Sequence, residues 1–116
     1  MWSMNTNHPS EITAQAKYII LLYGIATKSK VSEIEAETIT EVVAQVVQIC
    51  GNGLSQRQML QASAKRAERL HDVACGLAKD SPLAHPQVRQ VSGRVLGICS
   101  YVSNAVEAQE ALDNSL

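Results

Sequence analysis

The sequence predicts an all-α protein, a bundle of about four helices that ends in a long antiparallel helical hairpin. Apolar residues recur at three-and-four spacing rather than alternating, which is the helical period. Aromatic residues make up only 3% of the chain and Phe is absent, so the core must consist mainly of Val, Ile, Leu and Ala, which suits closely packed helices. With 116 residues, we expect one domain over residues 10–116 after a disordered lead over residues 1–9.

The sequence contains clear start and stop signals for the first two helices. The first is predicted to begin at Ser10 and to run to about Thr27. The second begins from the box Ser32 to Glu35, in which each side chain satisfies the other residue's backbone N–H, and it stops at the glycines around residue 52. Its β-branched residues could suggest a strand, yet their spacing is helical; they are Ile39, Val42, Val43, Val46, Val47 and Ile49.

The last two helices are predicted to form the hairpin. One opens with the box Ser55 to Gln58 and runs to about Lys79, and the other starts at Pro86 and continues to about Leu112. The apolar stripe of the third helix comprises Leu60, Ala64, Ala67, Leu70, Val73, Ala74 and Leu77. The fourth helix carries a heptad seam of Val88, Val91, Val95, Ile98, Val102, Ala105 and Leu112. Helices of this length and a short turn imply a hairpin roughly 35 Å long.

Catalytic and metal chemistry are not indicated. His71 and Cys75 lie one helical turn apart, but the hairpin register puts Cys99 about 12 Å beyond the level of Cys75, so we expect no metal site. His71 and Asp72 are sequence neighbours that point to different sides of a helix, so no catalytic triad forms. We therefore predict no enzymatic activity, no metal and no cofactor.

The charge and cysteine content narrow the partners and the compartment. A net charge of −1 gives no general attraction for nucleic acid or anionic lipid. The longest apolar run, residues 18–26, is too short to span a bilayer. Three cysteines without a CxxC pair favour a reducing cytoplasm.

A helix-turn-helix DNA-binding regulator is the alternative. It would use the second and third helices around the turn at residues 51–54, with Ser55, Gln56 and Gln58 at the start of the reading helix. The basic residues of the third helix are interleaved with Glu68 and Asp72, which favours a solvated helix face over a DNA-binding one.

A strip of small residues on the fourth helix is the predicted partner-binding surface. Each glycine inside a helix costs on the order of 1 kcal/mol relative to alanine, so the pair Gly93 and Gly97 calls for a compensating close approach. The strip lies opposite the Val seam. The predicted partner-binding residues are Gly93, Leu96, Gly97, Ser100, Tyr101 and Asn104.

The first helix is apolar all round, which one buried stripe does not explain. Either it occupies a central position in the bundle, or it forms a subunit interface. We favour a homodimer, with self-association through Ile19, Leu22, Tyr23 and Ile25.

These features favour a small cytoplasmic regulator or adaptor that sequesters or inhibits a partner protein through a helix face. Antiactivators of transcription factors, phage-type inhibitors and secretion chaperones are bacterial examples of this size and architecture. The identity of the partner is not encoded in any motif.

Overall fold

The computed structural model of the chain describes residues 9–51, 53–80 and 86–115. This part of the chain forms four helices and no strand: α1 Pro9–Thr27, α2 Glu33–Cys50, α3 Gln56–Asp80 and α4 Pro86–Asn114. The predicted all-α bundle is confirmed, and each predicted boundary lies within two residues of the observed one. The residues before Pro9, and with them most of the predicted lead, lie outside the described part.

Both predicted capping boxes are present. The backbone N–H of Glu35 donates to Ser32 Oγ at 3.2 Å, and that of Ser32 donates to Glu35 Oε1 at 3.0 Å. The same reciprocal pair joins Ser55 and Gln58 at 2.9 and 3.2 Å. Each box satisfies backbone donors that no helical hydrogen bond reaches, which stabilises a helix start by about 1 kcal/mol.

The helices form a flat bundle in which α2 and α4 contact each other and both of the remaining helices. The most extensive contact joins α3 and α4, which run antiparallel. Arg57 at the start of α3 lies 3.3 Å from Glu110 near the end of α4, and His71 meets Ser92 near the start of α4. The molecule measures 53 × 41 × 22 Å. Because a helix with its side chains is about 10–12 Å wide, the thickness corresponds to two helices.

The core occupies the middle of the predicted apolar stripes. Its largest fully buried side chains are Ile19, Ile39, Val42, Val43, Leu60, Val95, Ile98 and Val102. Burial does not follow the predicted patterns throughout. Ile49, Val88 and Leu112, near helix ends, are each more than half exposed, as is Val73, which precedes the buried Ala74; Ala105 is exposed as well. A periodic pattern shows which face is apolar but not how far a neighbouring helix covers it.

Candidate protein-binding groove

Helix α1 lies at a flank of the bundle, not at its centre. Its inner side enters the core, where Ile19 is fully buried and Tyr23 is 9% exposed. Its other side faces solvent, and Leu21 and Ile25 are 61% and 66% exposed. The predicted self-association set is therefore corrected. Ile19 and Tyr23 are used by the chain's own core, since an apolar helix pattern cannot distinguish its two sides, and only Leu22 and Ile25 remain near the surface.

An apolar groove of about 340 Å³ runs between α1 and the carboxyl half of α4. We call it the α1–α4 groove. It brings together residues from both predicted surfaces, since Leu22 and Ile25 come from the self-association set and Tyr101 from the partner-binding set. Its main apolar lining consists of Tyr18, Leu22, Ile25, Tyr101, Ala105 and Val106.

The sequence contained a signal for the groove residues that the prediction missed. Tyr18 and Ala26 lie one turn before and one turn after Leu22, so they share its side of α1. Which part of α4 borders that side depends on tertiary packing, and no local pattern encodes it.

A polar network holds Tyr23, whose ring contacts the tyrosine at the edge of the groove. Tyr101 is 43% exposed, and its ring meets the ring of Tyr23 edge-on, with centroids 5.6 Å apart. Arg94 Nη1 donates to the Tyr23 hydroxyl at 2.9 Å, and Arg94 Nε lies 3.6 Å from Glu35 Oε1. These contacts link α1, α2 and α4 beside the groove.

The predicted strip of small residues on α4 is not a continuous free surface. A Cβ added to Gly93 would lie 3.1 Å from His71 Cε1, so this glycine serves packing between α3 and α4. Leu96 packs against the core and Ser100 is partly buried. Gly97 and Asn104 are exposed, and a Cβ on Gly97 would meet nothing within 4 Å. The predicted residues do not form one surface because they lie on two different sides of α4.

Two further grooves differ from the α1–α4 groove in their surroundings. One of about 360 Å³ combines the exposed Ile34 and Val88 with polar side chains such as Glu41 and Gln87. The other, of about 460 Å³, lies between α1 and the α2–α3 turn and includes polar groups such as Glu11 and Gln15. The α1–α4 groove has a more apolar lining, in which Gln109 and Glu110 are the polar residues besides the two tyrosines.

Some of the polar groups that a DNA-reading surface would use are engaged within the chain. Arg57 pairs with Glu110 at 3.3 Å and Arg66 Nε donates to Gln45 at 2.7 Å. At the start of α3, Ser55 and Gln58 bind each other's backbone. Arg57 and Arg66 thus use guanidinium groups within the chain, while Ser55 Oγ and Gln58 Oε1 act as acceptors in the capping box.

Among the described residues, no three His, Cys, Asp or Glu side chains are grouped closely enough to hold a metal ion. His85 lies outside that part of the chain. None of the helices described combines the length and the apolar character that crossing a membrane requires.

No protein-family model, curated protein or solved structure matches the chain. A functional argument therefore depends on the geometry of its surfaces.

Proposed function

We propose that this protein is a non-enzymatic regulator or adaptor that binds a helix of a partner protein in the α1–α4 groove and acts by sequestering or inhibiting that partner. The observation that carries the proposal is the pairing of Ile25, 66% exposed, with Tyr101, 43% exposed, along one apolar groove. Contiguous exposed apolar surface of this kind marks interaction sites, because water contact with it is unfavourable.

The lining of the groove indicates the chemistry of the partner. Glu110 is its one charged residue, and Arg57 lies 3.3 Å from that carboxylate. The groove therefore favours an apolar partner face. An amphipathic helix supplies such a face through residues spaced three and four apart, and the space between two neighbouring helices accommodates it. Tyrosine is among the residues that contribute most to interfaces of this kind.

The expected homodimer is a second proposal, and it shares Ile25 with the α1–α4 groove. The exposed Leu21 and Ile25 on the outer side of α1 give a second copy an apolar stripe to pack against. Light scattering on the purified chain measures its mass directly. Two copies per particle are expected, and a monomer at all concentrations contradicts the dimer without affecting the groove.

Affinity capture from the native host tests the binding proposal when three baits are compared. The wild-type chain should retain a protein that Ile25→Glu loses, because a carboxylate would be buried in the apolar groove without a partner. The matched control is Ile49→Glu, since Ile49 is 67% exposed but lies at the end of α2, outside the groove. This bait should retain the same protein. If Ile25→Glu and Ile49→Glu capture identical proteins, the assignment of the groove is wrong.

A further inference from the structure

Arg94 joins three helices although it does not line the α1–α4 groove. From α4, its Nη1 donates to the Tyr23 hydroxyl on α1, and its Nε lies 3.6 Å from Glu35 Oε1 on α2. The guanidinium carbon lies 5.2 Å from the centroid of the Tyr23 ring, within the range at which a cation and an aromatic ring attract each other. Arg94 thus contacts both the hydroxyl and the ring of one tyrosine.

The carboxylate that pairs with Arg94 is itself anchored. Glu35 Oε1 accepts the backbone N–H of Ser32 at 3.0 Å in the capping box of α2, and the Glu35 side chain is only 17% exposed. A guanidinium is a rigid plane, so contacts at two of its nitrogens fix its orientation. Arg94 is therefore held between the start of α2 and Tyr23.

Tyr23 connects this arrangement to the groove. Its ring is buried and stands at 88° to the ring of Tyr101, an edge-to-face geometry that aromatic pairs favour. Tyr101 lines the groove, whereas Tyr23 does not. The exposed ring at the edge of the groove therefore has as its aromatic neighbour a residue that Arg94 contacts.

We propose that Arg94 is a positioning residue for the α1–α4 groove: by holding Tyr23, it sets the orientation in which the Tyr101 ring meets a bound helix. The link to binding rests on the proposed function, but the orientation of Tyr101 is a property of the chain alone. Lysine would not replace Arg94, because its compact ammonium lacks the planar fork that reaches Glu35 and Tyr23 together. Partner affinity then depends on a residue outside the groove.

A purely structural role for Arg94 gives different expectations. If Arg94 only ties the helices together, its loss lowers stability and leaves the Tyr101 ring where it is. Arg66 provides the matched control, since its Nε donates to Gln45 Oε1 at 2.7 Å and joins α3 to α2, and since it lines none of the grooves described above. A general effect of losing an arginine that joins two helices should appear in Arg66→Gln as well.

Two variants interrupt the network in different ways. Arg94→Gln removes the guanidinium. Glu35→Gln removes the charge that faces Arg94 but keeps an oxygen that can accept from Ser32, as Gln58 does in the second capping box. The second variant preserves the start of α2, so it tests the network even if Arg94→Gln does not fold.

Proton NMR on the folded full-length chain tests the orientation without a partner. An aromatic ring shifts the resonances of protons beside it, so the ring protons of Tyr101 report their distance and angle to Tyr23. The chain has three tyrosines, and Tyr101→Phe identifies the resonances of Tyr101. Arg94→Gln and Glu35→Gln should move them toward the positions of a solvent-exposed tyrosine, whereas Arg66→Gln should leave them unchanged.

A double-mutant cycle with the protein that the wild-type chain captures measures the consequence for binding. Arg94→Gln should weaken binding roughly five-fold, within the range for substitutions that act on a site without touching its ligand. In a Tyr101→Ala chain the same substitution should have no further effect, because the ring that it displaces is absent.

The proposal is overturned if Arg94→Gln weakens binding equally in both chains, or if the Tyr101 resonances of helical Arg94→Gln and Glu35→Gln chains match those of the wild type. If Tyr101→Ala binds the captured protein at wild-type strength, the proposed function fails instead, and the NMR comparison still decides the role of Arg94.

Discussion

The two sides of α4 differ in how their neighbours fit. Toward α3, small residues allow close contact, since Gly93 accommodates the His71 ring and Ser92 binds its nitrogen. Toward α1, the larger Tyr101 stands beside an open groove that also exposes Ile25. The first contact is closely packed around His71, whereas the second leaves a groove open. Under the proposed function, the exposed apolar residues gathered in this groove are the surface that a partner helix would cover.

The largest difference between the two regions should appear in stability. Ile98→Ala removes a fully buried side chain and should lower the free energy of unfolding by about 2–5 kcal/mol, through lost burial and the cavity left behind. Ile25→Ala alters a side chain that is 66% exposed, so the free energy of unfolding should change by less than about 0.5 kcal/mol. Urea unfolding followed by circular dichroism measures both. Equal losses would mean that Ile25 belongs to the core and that the groove is not open.

The glycines of α4 test the same comparison on a smaller scale. Gly97→Ala should raise the free energy of unfolding by about 0.5–1 kcal/mol, because alanine favours the helix and its Cβ meets nothing within 4 Å. At Gly93 the same gain is opposed by contact with the His71 ring at 3.1 Å. Gly93→Ala should therefore stabilise less than Gly97→Ala or destabilise. Equal gains in urea unfolding would contradict the close α3–α4 contact.

The ion pairs at the far end of the hairpin should contribute least. Arg57 lies 3.6 Å from Glu107 and 3.3 Å from Glu110, and all three side chains are at least 42% exposed. Solvent screens such pairs, so Arg57→Ala should cost less than about 1 kcal/mol. The loss should shrink further in 1 M salt. Thermal unfolding at low and high salt gives the comparison, and a larger, salt-independent loss would indicate that the Arg57 stem contributes through packing.

The sequence predicted the features that depend on local interactions. The capping boxes at Ser32 and Ser55 involve residues three apart, so their exact positions could be predicted from the sequence. Features that depend on the helix arrangement were harder to predict. The seam includes Val88, yet no helix covers that end of α4 enough to bury it.

The candidate site was predicted only in part for the same reason. Leu22, Ile25 and Tyr101 were singled out, but as members of two separate surfaces, because the side of α1 that borders α4 is set by tertiary packing. The role of Gly93 needed the hairpin register to within one residue, since its partner His71 lies on α3.

The central claim is that the α1–α4 groove holds a partner helix, and titration calorimetry with the captured protein tests it most directly. Tyr101→Ala removes the ring at the edge of the groove and should weaken binding by about 2 kcal/mol, roughly thirty-fold. Val88→Ala alters a side chain that is 55% exposed, against 43% for Tyr101, in a different groove and should leave the affinity within two-fold. Binding of Tyr101→Ala at wild-type strength, or a loss confined to Val88→Ala, would contradict the claim.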